Sequence, residues 1–302
     1  MKKVRLIPFT CGAGACFDTG CALGPKTLRD NGLLSVFDGS GIDAAWAPFF
    51  DENPEYRRNA FPPLGTVERE AIVLANLRHV YDETKRALAD GAVPVIIGGD
   101  HSMVAASMSA LVDTKNAYEE TGLLWFDAHP DINSPETSPS KALHGMSVAA
   151  LMDIGHVGLR SFGQKRKKIK GDHVCMFGIR SVDAEEGPIL NWSGIAYHSA
   201  LETVEMGWDA ALKLAQDRVV TGTKTRAFSV DLDGFDPDAA PGVGTPVETG
   251  ITRDDGLAFI RNACRTIDFD LLEITEYNPV VDTDGKTADL ARDVLRSFFD
   301  LE

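Results

Sequence analysis

The stretch Gly122-Leu-Leu-Trp-Phe-Asp127-Ala-His129-Pro-Asp131 decides the reading of this chain. It opens on a continuous apolar run of strand length, the kind that is buried on both faces. Three residues able to hold a metal then alternate with Ala128 and Pro130. In extended backbone this alternation sends Asp127, His129 and Asp131 to one side. The arrangement recurs on either side. Val93-Pro-Val-Ile-Ile97 runs into Gly98-Gly-Asp-His101-Ser, where the glycine pair allows a sharp turn. Arg226–Val230 runs into Asp231-Leu-Asp233, followed by Asp236-Pro237 and Pro241-Gly-Val-Gly-Thr-Pro246.

Further strands are predicted at Val4–Pro8, Ile42–Ala47, Val174–Ile179, Ile195–His198 and Asp268–Ile274. Helical patterns fall at Pro25–Asn31, from Thr66 to about Asp90 behind an acidic first turn, and after Ser102. Others cover Trp208–Arg218, Arg253–Thr266 and Ala288–Phe299. Apolar strands alternating with helices predict an α/β fold, a parallel sheet covered on both faces. No linker divides the sequence, so residues 1–302 read as one domain. Phe49–Gly65, rich in Pro, Asn and charge, reads as a long surface loop. In such sheets ligands sit beyond the carboxyl ends of the strands, where the candidate ligands lie.

The chain has 302 residues, 44% hydrophobic and 25% charged, which is enough apolar material for a substantial core. Lys+Arg is 30 and Asp+Glu is 45, a formal charge of −15. That excess repels phosphate backbones and anionic lipid, arguing against nucleic-acid and membrane partners. It suits a cationic substrate or a metal. No apolar run approaches the roughly 18 residues of a membrane-spanning helix, and the N-terminal run is too short for a signal peptide. Five cysteines argue against a disulfide scaffold and fit a reducing cytoplasm. The five-residue step of Cys11, Cys16 and Cys21 matches no zinc or iron–sulfur spacing, and they read as loop residues. The basic run Lys165–Lys170 reads as a solvated loop. Trp46, Trp125, Trp192 and Trp208 read as core or interface packing, and Asp100 and Asp236 as turn or supporting residues.

An Asp-x-Asp at a strand end is by itself an ordinary turn or helix cap. Three ligand-bearing elements at the strand ends of one sheet are harder to dismiss. Together they offer His101, His129, Asp127, Asp131, Asp231 and Asp233. Four carboxylates balance two divalent ions, and an ion pair about 3.5–4 Å apart is a known catalytic arrangement. Oxygen-rich ligation with some imidazole and no thiolate favours Mn²⁺ over structural zinc.

Gly98-Gly-Asp-His-Ser, Trp125-Phe-Asp-Ala-His-Pro-Asp-Ile-Asn133 and Ser229-Val-Asp-Leu-Asp-Gly-Phe-Asp-Pro237 resemble the motifs of the ureohydrolases, the family of arginases and agmatinases. The resemblance runs from Leu23-Gly-Pro25 to the last helix and is most like an arginase. It implies a three-layer α/β/α fold and two Mn²⁺ per subunit. It also implies a trimer or hexamer, and hydrolysis of a small cationic guanidino substrate, L-arginine first, to urea and an amine. His101 and His129 would be terminal ligands of different ions, with Asp127, Asp131, Asp231 and Asp233 shared. Asp131, His144 and Glu276 are the implied catalytic residues. Glu276 would orient the guanidinium, and His144, outside the metal motifs, would carry the proton to the leaving amine. Asn133, Ser138 and Ser140 would face the substrate α-carboxylate, and Asp183 and Glu186 its α-ammonium. One departure is Lys141-Ala142, where arginases commonly have Gly-Asn. It leaves agmatine, a guanidino acid and N-hydroxyarginine as alternative substrates. A non-catalytic subunit or a single-zinc deacetylase fits the intact set of six ligands less well.

Overall fold

The apolar runs pair side by side into one parallel sheet. The computed structural model describes residues 1–16, 20–50 and 61–301. Its strands are β1 (Lys3–Pro8), β2 (Asp43–Trp46), β3 (Ala92–Ile97), β4 (Thr121–Phe126), β5 (Val174–Gly178), β6 (Ala196–Ser199), β7 (Thr225–Asp231) and β8 (Leu271–Thr275). Their spatial order is β2-β1-β3-β8-β7-β4-β5-β6. The register aligns the strand ends: Ile97 pairs with Ile274, Ile274 with Val230, Val230 with Phe126, and Phe126 with Phe177. Five central strands thus end on one row, and the residues after that row share one rim.

The helices are α1 (Gly24–Asp30), α2 (Val67–Ala89), α3 (Val104–Lys115), α4 (Ser147–Leu151), α5 (Val157–Arg160), α6 (Glu186–Ser193), α7 (Ala200–Met206), α8 (Trp208–Val219), α9 (Arg253–Thr266) and α10 (Lys286–Phe298). Strand side chains alternate between two cores. Leu123 and Trp125 pack with Val73, Leu77 and Leu111 of α2 and α3. Leu124 and Phe126 pack with Ile260, Leu290 and Val294 of α9 and α10. The result is the expected three-layer α/β/α arrangement. At the start of α2, the Thr66 side chain accepts the Arg69 N–H, with Glu68 and Glu70 in the first turn.

Three expectations need adjustment. The strand predicted from Asp268 begins at Leu271, because the Asp270 carboxylate is engaged by the Thr225 hydroxyl (2.6 Å) and the Arg226 N–H (3.0 Å). The basic run is not wholly solvated. Lys168 is buried and donates to the Arg160 carbonyl at 2.7 Å, beside buried Ile169. Trp192 of α6 is exposed and lies outside this chain's core, which leaves it only the interface part of its expected role. Of the Phe49–Gly65 stretch, residues 51–60 lie outside the described residues.

Candidate active site

The turns beyond β3, β4, β7 and β8 bring His101, Asp127, His129, Asp131, Asp231, Asp233 and Glu276 together. Close approach of the chain after β3 requires glycine, since a Cβ on Gly99 would collide with the Cys11 carbonyl. Asp131 (φ 48°) and Glu276 (φ 65°) adopt the left-handed conformation that side chains rarely take. Such backbone costs on the order of 1–3 kcal/mol and is characteristic of functional sites.

Three aspartates share one construction. Asp127 Oδ1 accepts the His129 N–H (2.6 Å), Asp231 Oδ1 the Asp233 N–H (2.8 Å), and Asp233 Oδ1 the Ala128 N–H (3.2 Å). Each thereby turns Oδ2 inward. Asp127 Oδ2 and Asp231 Oδ2 each lie 3.0 Å from His101 Nδ1, and Asp131 Oδ2 lies 3.5 Å from it. Asp233 Oδ2 lies 3.2 Å from His129 Nδ1. The His101 ring is held at Nε2 by Ser229 Oγ (2.9 Å) and stacks on Trp125 at 4.1 Å. With the Nε2 proton donated to Ser229, Nδ1 carries the lone pair.

Among the described residues two groups of donors are close enough to hold a metal: His101 with Asp127 and Asp131, and Asp127 with His129 and Asp233. Asp127 belongs to both, whereas the resemblance implied that all four aspartates are shared. His101 Nδ1 and Asp127 Oδ2 are buried without a hydrogen-bond partner, although they face each other. Burial pushes Asp127 up to about 8 and raises Asp131 and Asp231, with neighbouring carboxylates adding to it. Burial also opposes the Asp233 carboxylate, but the charge of His129 wins and holds it low. Buried, crowded carboxylates beside an unpartnered imidazole nitrogen call for positive charge. The donor set fits divalent cations.

One wall of the site carries a relay. His144 Nδ1 lies 3.0 Å from Glu276 Oε1, which also accepts the His101 N–H at 2.9 Å. On its other side His144 Nε2 lies 3.3 Å from Cys16 Sγ. Burial disfavours the His144 imidazolium, but the hydrogen bonds to Cys16 and Glu276 outweigh it and raise its pKa well above the ordinary value. The cavity above has a volume of about 200 Å³, and Asn133, Ser138, Ser140, Asp183 and Glu186 line it. That is below the roughly 300–1,000 Å³ of drug-sized pockets and suits a small metabolite.

The cavity rim is largely self-bonded. Asn133 Nδ2 donates to Asp183 (2.9 Å), and its Oδ1 accepts from Thr137 (2.9 Å). Ser138 Oγ accepts the Lys141 N–H (3.0 Å), and Ser140 Oγ the Ala142 N–H (3.2 Å). Glu186 accepts the Ile132 N–H at 3.0 Å and the Asp183 N–H at 2.9 Å, and burial raises it to about 7. The Lys141 ammonium sits on the Pro135 carbonyl at 2.7 Å, away from the cavity lining.

The Arginase family model matches residues 2–300. The chain belongs to the arginase family. It is a ureohydrolase enzyme. It is 36% identical over 249 residues to the arginase of Bacillus caldovelox, covering 78% of this chain and 82% of that one. It is 32% identical over 279 residues to the arginase of Bacillus subtilis (strain 168), with 92% and 91% covered. The Entamoeba histolytica arginase, solved in complex with L-ornithine, superimposes with a TM-score of 0.87 at 26% identity, over 100% of each chain.

Several residues that shape this family member's site were missed from sequence. Cys16, which reads as a loop residue in the sequence, lines the cavity. Arg180 donates to the carbonyls of Asp233 (2.7 Å), Phe235 (3.0 Å) and Val247 (2.8 Å), pinning the turn that carries Asp231 and Asp233. Its only sequence signal was an arginine two residues beyond a buried strand. Glu273, the one charged residue in the apolar run of β8, accepts from Ser107 of α3. Asp100 and Asp236 bond to backbone N–H groups, as turn residues do.

Proposed function

We propose that this enzyme hydrolyses L-arginine to L-ornithine and urea, with two Mn²⁺ ions held by His101, Asp127, His129, Asp131, Asp231 and Asp233. The observation that supports it most is the stacking of chemistries in one cavity. Two metal-capable groups joined by Asp127 form the floor, Glu276 and His144 one wall, and amino-acid-sized polar groups the rim. Bound divalent ions supply Lewis-acid chemistry and lower the pKa of water toward neutrality.

The chain's own residues do the rest. A guanidinium is protonated at every working pH. Glu276 receives its N–H groups in paired, charge-assisted bonds, and the His101 N–H keeps the Glu276 carboxylate in place. His144 carries a proton at neutral pH and delivers it from Nε2 to the departing amine, with Glu276 fixing the ring through Nδ1. Asp183 meets the α-ammonium, and Asn133, Ser138 and Ser140 meet the α-carboxylate. Glu186, bonded to the Ile132 and Asp183 N–H groups, orders the segment that presents them. The same reading makes residues 1–302 one domain, working in the cytoplasm as a trimer or hexamer. Among the described residues no helix is long and apolar enough to cross a membrane.

The test is urea release by the Mn²⁺-loaded protein with arginine, agmatine, 4-guanidinobutyrate and N-hydroxyarginine at equal concentrations. Selective arginine turnover is expected. Preference for another guanidine would keep the chemistry and overturn the substrate. No urea from any of them, with metal bound, would overturn the reaction.

A further inference from the structure

The Cys16–His144–Glu276 line uses three residue types that elsewhere make an activated thiol: a nucleophile, a base beside it, and a carboxylate orienting the base. Here the thiol lies 3.3 Å from Nε2, and the carboxylate 3.0 Å from Nδ1. The loop presenting Cys16 is pinned on three sides. The Arg69 guanidinium holds the Ala13 (2.7 Å) and Ala15 (2.9 Å) carbonyls from α2. Asp100 accepts the Gly14 N–H at 2.8 Å, and the Gly14 carbonyl accepts the His144 N–H at 3.1 Å. The thiol therefore meets the imidazole through fixed backbone, and it opens into a cavity that Asp183, Glu186 and Glu276 line beside the candidate metal ligands.

We infer that Cys16 is a covalent modification site within the substrate cavity, with His144 as its base and small cationic electrophiles of amidine type as its ligands. The other cysteines are poorer targets. Cys11, Cys21 and Cys175 are buried, and burial pushes the Cys175 thiol up to about 12 and raises that of Cys264. Burial also opposes the Cys16 thiolate, but the hydrogen bond and charge of His144, helped by Ser140, outweigh it and lower its pKa. With a 2-chloroacetamidine the Cys16 sulfur attacks the chlorine-bearing carbon. The S–C bond forms, the C–Cl bond breaks and chloride leaves with the bonding pair, while the proton that Cys16 gave up in pairing with His144 stays on Nε2. The adduct fills the cavity beside His144 and blocks turnover.

The experiment treats the Mn²⁺-loaded full-length protein at pH 7 with 2-chloroacetamidine, chloroacetamide or chloroacetate, which share a leaving group and differ in charge. Intact mass and peptide mapping follow the label. One adduct at Cys16 is expected, fastest with the amidine and slowest with the acetate. His144→Gln is expected to slow Cys16 labelling about tenfold or more, since an unassisted thiol is only a few per cent thiolate at pH 7. Labels spread equally over the cysteines, equal rates for amidine and acetate, or unchanged labelling in His144→Gln would each overturn the inference. Should His144→Gln fail to fold, the charge series on the unaltered chain still decides. The inference rests on the guanidino reading only for the choice of a cation. Because the readout is mass, a chain that labels this way yet releases no urea refutes that reading and leaves the thiol site standing.

Discussion

On the cavity floor Asp127, Asp231 and Asp233 each commit one oxygen to a backbone N–H and turn the other toward an imidazole. On the rim Asn133, Ser138 and Ser140 bond instead to Asp183, to Thr137, to one another and to their own loop. The floor hangs from a row of paired strand ends, and the rim from a turn-rich segment between strands. The floor can therefore keep its chemistry while the rim changes what it admits. Glu186 is the joint between them, with one oxygen on the residue after Asp131 and the other on Asp183.

The comparison breaks most severely at the floor. Asp127→Ala removes the residue common to both donor groups. Metal content by elemental analysis should fall, and urea release with it by about 10³-fold or more, since water activation is lost. His144→Ala should keep the metal and lower kcat by about 10²–10⁴-fold, the usual span for an acid–base group. Full turnover with metal retained would remove His144 from the reaction. On the rim, Asp183→Ala should lower kcat/KM for arginine by about 10–100-fold, the worth of a charged hydrogen bond. Turnover of 4-guanidinobutyrate, which lacks the amine Asp183 meets, should not change. A matched fall for both substrates would show that the rim supports the floor.

The joint has its own signature. Burial raises Glu186 from an ordinary carboxylate value to about 7 in the fold. The native state therefore holds a proton that the unfolded chain has lost between about pH 4.5 and 7. The contribution of Glu186 is fully present below that window and fades as pH rises through it. Glu186→Gln cannot titrate, so the denaturation midpoint of the variant relative to the parent should rise across pH 5–7.5. A flat difference would place Glu186 in a more solvated setting. The smallest effect is expected at the departure from the common arginase loop. Lys141 faces away from the cavity, so Lys141→Gly should shift KM for arginine by about twofold or less, as surface changes do. A larger shift would mean that the loop reads the α-carboxylate through its backbone.

This division also explains what the sequence made legible. The floor could be read because its chemistry is local: Asp127, His129 and Asp131 alternate within five residues, behind a run too apolar to be anything but a buried strand. The sheet could be read from the same periodicity, and helices α8 and α9 emerged close to their expected spans. Cys16 could not be read, because its meaning lies in His144, which the fold brings to it from 128 residues away. Arg180 and Glu273 escaped for the same reason, acting on carbonyls and a hydroxyl of segments distant in sequence. Lys168 misled because composition marks a basic run as solvated, while the Arg160 carbonyl lets one of its members go inside.

The strand order carries a consequence for biosynthesis. Strands β1 to β3 pair among themselves, and so do β4 to β7, but only β8 joins the two blocks. A nascent chain shorter than 271 residues therefore holds two half-sheets whose facing edges are open, the condition that invites mispairing between chains. His101 belongs to one block and Asp127, His129, Asp231 and Asp233 to the other. The ribosome thus emits every aspartate and histidine of the floor well before the strand that aligns them. Arrival of β8 closes the sheet, seats Glu276 beside His101, and brings the two halves of the candidate metal cluster together.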